Sequence, residues 1–123
     1  MKRILLLLLL CSTTLLMAQQ TDPIQEAMAS YDYETALSLI AQKKPATPLL
    51  LQKGKALRSL GLNAEALSTY QEIIGKDSTN TRALIEAAEC CRTLAKYKQA
   101  SAYYEKVLDL TPENKYVRIQ YIN

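Results

Sequence analysis

The sequence predicts an all-α chain of antiparallel helix pairs stacked in series, about three repeats long. Three observations carry this. Gly (3) and Pro (4) are scarce, Trp and Phe are absent, and Ala and Leu dominate, a composition that suits helices and not a sandwich or barrel. Apolar residues recur at helical spacing, with no period-2 runs to support strands. The chain also matches itself at a period of 34: setting 47–80 against 81–114 pairs Thr47 with Thr81, Leu50 with Leu84, Arg58 with Arg92, Leu60 with Leu94, Ala66 with Ala100, Tyr70 with Tyr104 and Asn80 with Asn114.

The first element is an address. Met1-Lys2-Arg3 is basic, Ile4–Leu10 is an unbroken apolar run, and Leu15-Leu16-Met17-Ala18 ends on a small residue before Gln19-Gln20-Thr21-Asp22-Pro23 turns polar. That order predicts a secretory signal peptide over 1–18, cleaved after Ala18. A retained anchor is disfavoured, because 15 residues from Ile4 to Ala18 fall short of the roughly 20 that span a bilayer and no basic stop-transfer cluster follows. Lipidation at Cys11 is the other alternative. Leu10 stands where such signals want a small residue, and the apolar run continues past Cys11. The expected destination is the periplasm or the exterior of a bacterial envelope, with no stable membrane span after cleavage.

Charge and residue types then narrow the function. Of 15 basic residues, Lys2 and Arg3 leave with the signal, so 13 face 12 acidic ones. A near-neutral body argues against a nucleic-acid partner held through phosphates. The absence of His removes the commonest general base and most zinc sites. Cys90 and Cys91 are adjacent, and neighbouring helical positions point about 100° apart, which opposes a mutual disulfide. They read as small apolar packing residues; a redox or copper role is the outside alternative. No Gly-rich phosphate loop is present, and the pairs Glu86/Glu89 and Glu105/Asp109 read as solvated helix faces. Neither an enzyme nor a cofactor or metal site is expected.

Segment 19–46 holds a divergent first helix pair and its linker. Pro23–Ser30 reads as a short helix and Tyr33-x2-Ala36-x3-Ile40 as its partner, with Lys43–Pro48 as the connecting loop. Ala36 lies only 30 residues before Ala66, so this pair is joined irregularly. Segment 47–80 places a helix before a break at Gly61-Leu62 and a second helix after it, with Gly75–Asn80 as the exit loop. Segment 81–114 repeats the plan with its break at Ala95-Lys96. Pro112 is expected to open the next helix, and 115–123 to form a terminal helix or the start of a further repeat.

The two copies resemble the tetratricopeptide repeat (TPR) family, whose pattern is W-x2-L-G-x2-Y, then A-x3-F, then P. The matching residues are Leu50, Lys53, Gly54 and Leu57, then Ala66 and Tyr70 with Ser78 in the proline slot; and Leu84, Ala87, Ala88 and Cys91, then Ala100, Tyr104 and Pro112. The resemblance implies close helix crossings at Gly54, Ala88, Ala66 and Ala100, and an aromatic plug at Tyr70 and Tyr104. It further implies a groove, lined by the first helices, that receives a peptide or protein segment. Register places Leu51, Lys55, Arg58, Arg82, Ile85, Glu89, Arg92, Tyr116 and Ile119 on that groove. The four cations give it a positive bias, and Leu51, Ile85, Tyr116 and Ile119 supply apolar contact. The family's clamp for a C-terminal carboxylate uses Lys and Asn where this chain has Leu51 and Lys55, so that use is not implied. Two functions remain at this point: an exported, non-catalytic adaptor for a protein or peptide partner, or the front segment of a longer envelope protein or enzyme. Neither the partner nor the oligomeric state can be read from the sequence.

Overall fold

The computed structural model describes residues 3–5 and 21–122. Most of the signal-like segment 1–18 therefore lies outside the described residues. From Pro23 onward seven helices follow one another: α1 (Pro23–Ala29), α2 (Tyr33–Ala41), α3 (Thr47–Ser59), α4 (Asn63–Lys76), α5 (Thr81–Thr93), α6 (Tyr97–Leu110) and α7 (Lys115–Ile122). Among the described residues there is no strand. Each helix packs on its chain neighbours, the pattern of a TPR-like solenoid of helix pairs. No described helix is long and apolar enough to cross a membrane.

The period of 34 is visible in the helix starts, since α3, α5 and α7 begin at 47, 81 and 115. Local chemistry sets two of these starts. Asn80 Oδ1 accepts from the Ala83 N–H at 3.0 Å, and Asn114 Oδ1 from the Val117 N–H at 3.1 Å, so one repeat position caps both helices. Pro112 was expected to open the last helix. It lies instead in the turn before it, because the Asn114 N–H closes onto the Thr111 carbonyl and Asn114 then takes the cap. Gly75 was expected in a loop, yet α4 continues to Lys76; an exposed helical glycine costs propensity but breaks no hydrogen bond.

The turn inside each pair is also repeated. Tyr31, Gly61 and Ala95 all have positive φ (61°, 78° and 58°). The next residue's N–H in each case reaches back five positions, from Asp32 to Ala27, Leu62 to Leu57 and Lys96 to Cys91. This closure turns the chain antiparallel within a few residues. The irregular spacing of the first pair has its cause in α2, which has 9 residues against 14 in α4 and α6.

Small residues define the crossings, as the repeat register predicts. Ala36, Ala66 and Ala100 are buried, as are Ala87 and Ala88 on α5. Tyr70 and Tyr104 are buried between pairs, and Val117 docks α7 on the same core. Cys90 and Cys91 are both free and fully buried, which fits a packing role.

Candidate functional site

The first helices α3, α5 and α7 are linked side by side through one repeated polar contact. Arg58 on α3 is ion-paired with Glu86 on α5. One period later, Arg92 on α5 donates to Gln120 Oε1 on α7 at 2.5 Å. Both partners lie 28 positions ahead of their arginine. Burial opposes the charge on Arg58, but the neighbouring Glu86 outweighs it and holds the guanidinium pKa above its usual value. The pair is about one-third exposed, so its worth is about 1 kcal/mol.

Between α3 and α5 lies an open depression of about 530 Å³. Lys55, Arg58 and Arg82 face it with Glu86, and its floor carries Tyr70. Ser59, Asn63 and Thr93 complete its wall. Three cations against one carboxylate make it positive. Among the described residues, Lys55 and Arg82 form no ion pair, so theirs are the charges left for a ligand.

Between α5 and α7 the arrangement is closed. Glu89 Oε1 accepts from the Tyr104 hydroxyl at 2.6 Å and the Tyr116 hydroxyl at 2.8 Å, while Arg92 reaches Oε2 at 3.4 Å. Burial, followed by the Glu89 contact, pushes the Tyr104 phenol above its usual value. The bond to Glu89 does the same for Tyr116.

The structure therefore divides the residues placed on the groove by register. Lys55, Arg58 and Arg82 come together in the depression, whereas Glu89, Arg92 and Tyr116 form a knot of their own. Leu51 and Ile85 are partly buried against the core and do not line the depression; Ile119 is exposed on α7. The positive bias is thus narrower than four cations, since Arg58 and Arg92 are engaged. Sequence reasoning missed Tyr70, Glu86, Tyr104 and Gln120 as polar groups of this face. Glu86 and Gln120 meet their arginines 28 positions on, in the next repeat, a contact set by helix packing that no signal in the single sequence marks. Among the described residues no group of three or more His, Cys, Asp or Glu could hold a metal ion.

The buried protonated groups make stability fall in alkali. Burial pushes the Cys90 thiol from 9.0 up to about 11 and raises the Tyr70 phenol as well. A raised folded-state pKa contributes stability in full below the unfolded value and loses it as pH climbs through the folded one. Urea denaturation is therefore expected to give a lower midpoint at pH 11 than at pH 8, with most of the change above pH 9. A flat profile from pH 8 to pH 11 would contradict the burial of these groups.

Comparison with known proteins fits this architecture. Residues 81–114 match the tetratricopeptide repeat family model. The first TPR of Spaghetti (RPAP3) bound to the HSP90 peptide SRMEEVD aligns with a TM-score of 0.72 at 21% identity, over 80% of this chain and 82% of that one. The first TPR domain of human RPAP3 gives 0.70 at 21% identity, over 80% and 81%. PcrH in complex with the chaperone binding region of PopB gives 0.67 at 18% identity, over 80% and 83%. No curated protein matches the chain. Residues 81–114 are thus similar to a tetratricopeptide repeat, in a chain with a TPR-like solenoid fold.

Proposed function

We propose that this protein is an exported, non-catalytic interaction module that binds a peptide or protein segment on the face formed by α3, α5 and α7. The observation that carries the reading is the open, positively charged depression between α3 and α5, with Lys55 and Arg82 uncommitted. The structural neighbours lend support, since two of them hold an HSP90 peptide and the chaperone binding region of PopB. The carboxylates of this region engage arginine or tyrosine, as Glu86 does Arg58 and Glu89 does Tyr104 and Tyr116. Export rests on the basic, apolar, small-residue order of 1–18. N-terminal sequencing of the exported protein is expected to return Gln19; Met1 or a lipidated Cys11 would refute it.

Binding is tested with a peptide selected on the protein from a random displayed library. Lys55→Ala/Arg82→Ala is expected to weaken it about tenfold at low salt and less at high salt, since exposed charges are screened. Equal binding by wild type and double variant at low salt would mean that recognition lies elsewhere.

A further inference from the structure

We propose that the cleft enclosed by α2, α3 and α4 binds a straight-chain fatty-acid anion, its alkyl chain lying on the leucines of the cleft and its carboxylate meeting Lys43 and Lys53. The cleft shares no lining residue with the α3/α5 depression, so this site stands or falls independently of the first-helix face.

The cleft exists because α2 stops early. Pro45 disfavours helical backbone at Lys44, and α2 ends at Ala41 with 9 residues where α4 and α6 have 14. The three helices start in step after the turns at Tyr31, Gly61 and Ala95, so what α2 lacks is its C-terminal turn. In α4 and α6 that turn carries Ile73 and Val107, both fully buried. Counted from the same turns, the residue in step with them is Lys43, exposed in the loop after α2.

One repeat later the same place is sealed. Leu37, Ile40, Leu50 and Leu57 of the cleft correspond to Leu67, Tyr70, Leu84 and Cys91, and all four of these are buried together with Ile73 in the core. Lys53 corresponds to Ala87, which is fully buried. Two buried apolar positions of the later repeat are thus lysines here, around an open cleft of about 410 Å³. That size lies within the roughly 300–1,000 Å³ of small-molecule sites. Lysine stems run along apolar surface and leave the ammonium in water, which puts the charge at the mouth and the leucines inside. Glu72, the carboxylate of the lining, is 3.8 Å from Lys76. Among the described residues Lys43 and Lys53 form no ion pair. A partner's apolar side chain in the place of Ile73, or a neutral hydrocarbon, would leave both lysines unanswered. A fatty-acid anion answers both halves of the site, its methylenes on the leucines and its carboxylate on the cations.

The test is an NMR titration of isotope-labelled protein with decanoate, octanoate, decanol, decyltrimethylammonium and N-acetylleucine amide, each below the concentration at which it self-associates. Decanoate is expected to give saturable shifts at residues 37, 41, 49 and 57. It should bind about tenfold tighter than octanoate, since each buried methylene adds about fourfold. Decanol should bind about tenfold more weakly than decanoate, and decyltrimethylammonium more weakly still. Lys43→Ala/Lys53→Ala is expected to weaken decanoate about tenfold and to leave decanol unchanged. Ala41→Trp, at an exposed position on the lip of the cleft, fills it and should abolish the shifts while the helical circular dichroism stays that of wild type. The proposal is overturned by the absence of shifts at these residues, by equal affinity for octanoate and decanoate, or by decanol or the cation binding as tightly as decanoate. Unchanged decanoate binding in the double lysine variant overturns it too, with no demand on the fold because Lys43 is exposed and Lys53 half-buried. N-acetylleucine amide binding more tightly than decanoate would assign the cleft to a partner's side chain and equally overturn it.

Discussion

Gly54→Val should destabilise the protein by about 3 kcal/mol, the upper end of what overpacking a filled site costs. A Cβ at Gly54 would overlap the Tyr70 ring, meeting Cζ, Cε1 at 2.6 Å and Oη at 2.8 Å. Tyr70 is buried in the core, so its ring can yield only by giving up that packing and moving out towards the depression. The matched control is Gly75→Ala. A Cβ there meets nothing within 4 Å, and the position is helical, so the change should stabilise by about 0.5–1 kcal/mol. Thermal melts of the two variants should therefore move in opposite directions. Equal shifts would mean that Tyr70 does not rest on Gly54.

Ala66→Leu and Ala100→Leu should each cost about 1–3 kcal/mol, since added methylenes at a packed crossing force strained rotamers and backbone shifts. Both residues are buried at equivalent places on α4 and α6. Ala64→Leu, exposed at the start of α4, should lie within about 0.5 kcal/mol of wild type. Three equal melting temperatures would break the repeat register, because only a 34-residue period puts Ala66 and Ala100 in the same environment.

That register is what a single sequence can carry well. Helix starts, the capping Asn80 and Asn114, the small residues at crossings and the aromatic plugs are all set by residues near one another in the chain, and they recur. Pro112 and Gly75 misled because each was read alone. Pro112 tolerates a turn as well as a first helical turn, and Gly75 sits in a helix already fixed by its neighbours. The polar face was harder to read. Glu89 joins Tyr104 and Tyr116 from two other helices, and Arg58 joins Glu86 from the next repeat. Those meetings depend on how helices cross, which no local pattern encodes. Placing Arg58 and Arg92 on the face was possible from spacing, whereas seeing that both are engaged required the structure. Leu51 and Ile85 show the same limit. Register alone put them on the face, whereas the structure packs them partly against the core.

The most direct measurement of the central claim is a map of where a selected peptide touches the protein, by cross-saturation from the peptide to the labelled protein. The effect is expected on α3 and α5, centred on Lys55, Arg58, Arg82 and Glu86, with none at the exposed α6 residues Lys98, Ala102 and Lys106. Cross-saturation concentrated on α4 and α6, with the α3/α5 depression silent, would contradict the assignment of the first-helix face as the surface this protein uses.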